Sequence, residues 1–197
     1  MTRTAIAAFM LAGLCHASAA GEVTSEYSDL DPQKGCAVFA AAAAGEGDWA
    51  NMTCSGWRGY PVLIYSGDLR ESVFYGFPPD GDLAPAWESF SAFNSAGPKV
   101  EWRIETENGK AAPFAAIHRW SVSEGEGRKI EVLVVEKVGQ IGQREGCAVG
   151  LVMATGNPKA NEAARKIADE RARDVACGVD QRVVVGSPMP DFSRSEN

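Results

Sequence analysis

This chain of 197 residues has no long hydrophobic run, no cluster of lysine or arginine and only two histidines. Each absence excludes something. Its longest apolar stretch, Ala5 to Leu14, spans about ten residues, and a bilayer crossing needs about twenty, so no membrane span is expected. Without basic runs, and with a formal net charge of −7, nothing attracts phosphate backbones or anionic lipid, and nucleic acid is not an expected partner. There is no Gly-x-Ser-x-Gly elbow, no HExxH, no phosphate loop and no dinucleotide fingerprint. No two cysteines stand two to four residues apart, as structural zinc sites require. Neither a metal nor a cofactor is therefore expected. No internal repeat is visible.

The first twenty residues are the most telling part of what is present. Arg3 makes a short basic start, the apolar run follows, and Ala17-Ser18-Ala19 supplies small residues where a signal peptidase cuts. We read residues 1–19 as a signal peptide. Lipidation at Cys15 is disfavoured because large Leu14 precedes it. Without Arg3 the balance is 18 basic against 26 acidic residues, a net −8. The remaining chain of about 178 residues suits one domain with a core of its own. That domain is read as residues 20–186, with 187–197 a loose tail broken by Pro188 and Pro190. The expected location is the periplasm or the exterior.

Export leaves Cys36, Cys54, Cys147 and Cys177, an even number in an oxidising space, which points to disulfides. Four cysteines allow three pairings. We favour Cys36–Cys54, on two strands that a hairpin brings together, and Cys147–Cys177, from a strand start to a helix end. Each pair closes a loop of roughly 20–30 residues, worth about 3 kcal/mol in the loop-entropy account.

Hydrophobic periodicity organises the second half. Val100, Trp102, Ile104 and Thr106 alternate with Glu101, Arg103, Glu105 and Glu107, a strand with one wet face. Asn108-Gly109 suits a tight hairpin turn, and Phe114 to Ser123 returns. Ile130 to Val138 is almost wholly aliphatic, as in a strand covered on both faces, and Cys147 to Ala154 completes a four-stranded antiparallel meander over 100–154. A helix follows, with Asn157 as cap and Pro158 at its first position. Ala160, Ala164, Ile167, Ala168 and Val175 form its apolar stripe, Glu162–Lys166 and Asp169–Arg173 its wet-side pairs, and Gly178 its end. Arg182 to Val185 adds a last strand. In the first half, Cys36–Ala40, Met52–Cys54, Pro61–Tyr65 and Glu71–Tyr75 look like short strands. Pro85 to Asn94 looks like a short helix with Trp87, Phe90 and Phe93 turned inward. The fold class is α+β: a mostly antiparallel sheet, the C-terminal helix on one face, and a short helix near residues 85–94.

Candidate functional residues are few. His118 shares a strand face with Phe114, Ala116, Trp120 and Val122, the setting of a core histidine. As a general base it would need a nucleophile and an orienting carboxylate. Asp80-Gly81-Asp82 resembles a calcium loop, but Ser91 stands where that pattern needs Glu. The five tryptophans, Trp49, Trp57, Trp87, Trp102 and Trp120, read as core, and the many carboxylates as solvated surface. In Gly56-Trp57-Arg58-Gly59-Tyr60-Pro61, two glycines bracket a Trp-Arg pair. Exposed, Trp57, Arg58 and Tyr60 could stack on a sugar or grip a carboxylate; otherwise Trp57 covers a sheet edge.

The segments Trp87 to Asn94, Val100-Glu101-Trp102-Arg103 and Asn161 to Glu170, with Gly59-Tyr60-Pro61-Val62 and the four cysteines, resemble a group of small exported proteins of alphaproteobacteria to which no activity is attached. The resemblance implies a periplasmic setting and carries over no catalytic residue. The favoured reading is a non-catalytic periplasmic protein that binds an unknown protein or small ligand. The alternatives are a secreted inhibitor of a hydrolase such as lysozyme, motivated by acidity and export, and an enzyme using His118 or surface carboxylates.

Overall fold

Alternation between apolar and polar residues dominates the chain, and most of it is extended. The computed structural model describes residues 21–79 and 86–196. The expected signal peptide and the Asp80-Gly81-Asp82 turn lie outside the described residues. The strands are β1 (Glu22–Asp29), β2 (Cys36–Ala41), β3 (Ala50–Ser55), β4 (Pro61–Gly67), β5 (Arg70–Tyr75), β6 (Ala86–Phe90), β7 (Asn94–Glu107), β8 (Lys110–Gly125), β9 (Arg128–Lys137), β10 (Ala148–Met153), β11 (Val183–Val185) and β12 (Phe192–Glu196), with the helix α1 (Ala160–Arg171) between β10 and β11. The strands build a six-stranded sheet in the order β1-β7-β8-β9-β10-β11, a four-stranded sheet β2-β3-β4-β5 and a pair β12-β6. Only β10–β11 is parallel in the large sheet. The α+β description holds in its coarse form, with far more sheet than helix.

The large sheet has two apolar faces, so there are three layers. Val100, Trp102, Ile104, Ala116, Trp120, Val132 and Val134 face the smaller sheets, where Val62, Ile64, Val73, Tyr75 and Phe90 meet them. Ala115, Ile117, Leu133, Val135 and Val149 face α1, whose Ala160, Ala164, Ile167 and Ala168 cover them. This double coverage explains the unbroken aliphatic run of β9. Small alanines let the helix approach closely. At Gly150 a β-carbon would stand 2.7 Å from Ile167.

Several expectations are corrected. The short helix expected near residues 85–94 does not form over the described 86–94: Ala86–Phe90 is a strand, paired along its length with Phe192–Glu196. That same pairing makes 192–196 a strand rather than a loose tail. A partner about a hundred residues away decides both segments, and an isolated ten-residue helix is marginal in water. The face of β7 read as wet is not wet. Glu101 and Arg103 are buried because α1 lies across them. Arg165 reaches Glu101 at 2.6 Å, Arg103 reaches Asp169 at 2.7 Å and Arg173 reaches Glu105 at 2.9 Å. Asp169 and Arg173 therefore bind the sheet rather than each other through their side chains. The helix also ends earlier than expected, at Arg171, and Gly178 closes a later turn with φ +77°. Phe114 leaves the expected face at a bulge between β7 and β8. Its ring packs on the helix side, with the Arg173 guanidinium 3.5 Å from its centroid. Strand β1, polar and at the sheet edge, was not anticipated.

Disulfides join Cys36 to Cys54 and Cys147 to Cys177, with Cα separations of 4.0 and 5.7 Å. The first links directly opposed residues of β2 and β3. The second ties the start of β10 to the turn after α1. Both fit an oxidising compartment. Among the described residues, no helix is long and apolar enough to cross a membrane.

Candidate functional site

The Trp57-Arg58-Tyr60 loop closes on the protein itself. Trp57 is buried, and its indole N–H donates to Glu26 of β1 at 2.7 Å. Arg58 stacks over that indole at 4.7 Å and pairs with the same carboxylate at 3.2 Å. The half-buried Tyr60 donates its hydroxyl to Gln140 at 3.0 Å. Only Arg58 is well exposed, and its charge is already matched. The loop clamps the β3–β4 connection to β1.

His118 sits in the sandwich interior with no exposed surface. The Gly97 carbonyl can only accept, so Nε2–H donates to it, and Nδ1 accepts the Tyr75 hydroxyl. Burial pulls the ring down to about 4, against a partial lift from the Gly97 bond. The imidazole is neutral, fully bonded and sealed. Proton transfer to a substrate from this position has no route.

A second buried polar group lies beside a cleft of about 560 Å3 under the C-terminal segment. Glu88 accepts the Ala148 amide at 2.9 Å and Arg182 at 3.2 Å, with Arg194 at 3.6 Å. Burial raises the Glu88 carboxyl, while the amide and both arginines pull it back. On β9, Glu136 is fully buried. Burial drives its carboxyl well above the usual range, and the charge of Glu88 pushes the same way. Two buried acids, the charge of one raising the proton affinity of the other, suggest acid–base chemistry. Here, however, both Glu88 oxygens are engaged, and the arginines that hold them fasten β12 and the segment before β11. The arrangement anchors the C-terminus. Among the described residues, no three His, Cys, Asp or Glu are placed to hold a metal ion.

The sandwich end where β4 turns into β5 has a different character. Gly67 pairs with Arg70, which leaves Asp68-Leu69 as a two-residue hairpin loop. Their φ values, +49° and +59°, are those of a turn that favours Asn-Gly. Leucine is a costly choice there, and Leu69 is 65% exposed. Two further segments are tied to this turn, and a third is tied to the second of them. The Asp68 amide donates to Asp48 at 3.2 Å. The Asn94 amide donates to the Leu69 carbonyl at 3.0 Å, and the Ser123 amide to Phe93 at 2.8 Å. Asn94 pins the bend, its side-chain nitrogen bonding Ser89, Phe90 and Ala92 while its oxygen accepts from Glu71.

The result is a cleft of about 490 Å3 lined by Asp48, Leu69, Arg70, Glu71, Phe93, Lys129 and the serines Ser66, Ser95, Ser121 and Ser123. Phe93 is 46% exposed beneath Arg70, whose guanidinium lies 5.0 Å from the ring. Trp49, 43% exposed, packs its β-carbon against Gly67. The sequence pattern places both aromatics in the core. Sequence reasoning missed this constellation, although one signal was available: Leu69 stands at a hairpin position that usually takes glycine or asparagine. Comparisons with protein-family models, curated proteins and solved structures give no match for this chain.

Proposed function

We propose that this protein is an exported, non-catalytic binding domain of the bacterial envelope and that the β4–β5 end of the sandwich is its working surface. The observation that carries this is Leu69. A bulky residue held in the left-handed region and largely exposed costs stability and returns little packing. It stands beside two exposed aromatics on loops braced by a rigid sandwich, the usual place for binding residues. The signal peptide expected from the sequence and the two disulfides support delivery to the periplasm. The saturated, buried state of His118 and Glu88 supports a non-catalytic role.

The test is shift mapping by NMR. Isotope-labelled mature protein is titrated with fractionated envelope extract. Perturbations should concentrate on residues 48–49, 67–71, 91–95 and 121–129, and leave the opposite end, around Asn108, unmoved. Perturbations confined to another face, or none with any fraction, refute the proposal.

A further inference from the structure

The loop-end cleft also carries information about its ligand. This inference rests on the binding role proposed above. We infer that the cleft is a site for a neutral saccharide, whose ring hydroxyls meet its polar wall and whose C–H face stacks on Phe93 and Leu69, with the exposed Trp49 next to the lining residue Gly67.

Charge is the first argument. The chain as a whole is strongly acidic, yet the cleft is balanced, with Asp48 and Glu71 against Arg70 and Lys129. Arg70 is already committed to the Ser91 carbonyl and to Asp68. An anionic ligand would meet two carboxylates, and a cationic one two cations. A neutral ligand can hydrogen-bond to Asp48, Glu71 and Lys129 without leaving an uncompensated charge.

Donor and acceptor supply is the second argument. Four serines line the wall, and of these Ser66 already donates its hydroxyl to the Ala50 carbonyl at 2.9 Å, which leaves Ser95, Ser121 and Ser123. A hydroxyl both donates and accepts, as a sugar hydroxyl does, so the two sets are mutually satisfying. Glu71 adds a largely buried carboxylate. One of its oxygens accepts the Ala96 amide at 2.7 Å, and burial raises its affinity for a proton.

Shape is the third. The ring of Phe93, with Leu69 in the same wall and Trp49 packed next to Gly67, suits an amphipathic ring, apolar on its faces and polar at its edge. A volume of about 490 Å3 lies within the range of small-ligand sites and holds about two sugar rings.

The experiment uses mature protein with both disulfides intact. A glycan array carrying neutral and uronic-acid oligosaccharides is followed by tryptophan-fluorescence titration with the best neutral and the best acidic compound. A neutral oligosaccharide should bind, with an affinity that salt barely changes. Trp49→Ala and Phe93→Ala should each weaken binding about tenfold. Both residues are exposed, so the variants should keep the wild-type circular dichroism and unfolding curve. Val184→Ser, at an exposed site on β11, should bind as wild type. Three results overturn the inference: no neutral saccharide bound at about 10 mM, acidic saccharides only, or binding indifferent to both aromatic substitutions. If saccharides fail while an envelope fraction or a protein still perturbs residues 67–71 and 91–95, the ligand class is wrong and the binding role stands. If nothing perturbs them, both fall.

Discussion

Replacing Leu69 with asparagine should make the protein more stable and worse at binding. The turn Gly67-Asp68-Leu69-Arg70 places Leu69 at φ +59°. A bulky L-residue in the left-handed region costs about 1–2 kcal/mol. Asparagine visits that region with much less strain and, unlike glycine, adds no large unfolded-state entropy, so the relief is about 1 kcal/mol. Against this stands lost burial. Full burial of leucine is worth about 1.5–3 kcal/mol, and Leu69 is 65% exposed, so the loss is roughly 0.5–1 kcal/mol. The net gain is at most about 0.5 kcal/mol, which for a domain of this size raises Tm by up to about 2 °C. Urea unfolding and calorimetry measure the first half, and titration with the ligand found by shift mapping measures the second, where about a tenfold loss is expected. The signs are what matter. A destabilisation of more than about 1 kcal/mol would mean that packing holds Leu69 in place and that it is not there for display. A gain in stability with unchanged affinity would remove Leu69, and with it the main support for a loop-end site.

Other expectations concern the frame. Replacing both Cys147 and Cys177 by alanine opens a loop of sequence separation 30, and replacing Cys36 and Cys54 one of 18; chain entropy assigns about 3.6 and about 3.2 kcal/mol, readable as a lower urea midpoint, and a loss under about 1 kcal/mol for either pair would contradict this. In the folded state Glu136 keeps its proton well above the unfolded value of 4.5, so the wild type loses stability as pH climbs above 4.5. Glu136→Gln mimics the neutral acid, and its advantage should grow from pH 4 to pH 8; parallel stability curves would refute the buried assignment. His118 has the opposite sign. Its depressed pKa of about 4 means that stability is complete above the unfolded value near 6.5 and falls, by about 3 kcal/mol in all, as pH drops toward 4. As the one histidine after the expected cleavage site, its ring can be followed directly by NMR, and titration near 6.5 would show that the core admits water.

How far each element was legible depended on where its partner lies in the chain. The β7–β10 meander could be read because each strand pairs with its sequence neighbour through a short turn, and alternation alone sets that register. The apolar stripe of α1 was visible for the same local reason. Strands β6 and β12 were not legible, because each becomes a strand only against the other. The Glu101-Arg103-Glu105 face misled for a related reason. Charged residues alternating along a strand usually mean water, and here they mean Arg165 and Asp169 of a helix that crosses above and Arg173 just past its end. Trp57, Arg58 and Tyr60 drew attention by composition, but composition does not show that Glu26, on a strand missed entirely, satisfies two of them.

The amino-acid order by itself settled the properties that depend on local pattern or on counting: a β-rich domain, an apolar helix stripe, an even set of cysteines after the expected leader, and no stretch apolar enough to span a bilayer. The tertiary structure decided which side chains are spent internally and which are left over. His118, Glu88 and Trp57 are consumed by contacts that join residues far apart in sequence. Trp49, Leu69 and Phe93 stand out together because four separate turns meet at one end of the sandwich. A functional site is such a meeting of distant segments, and linear spacing cannot encode distances that only chain folding creates.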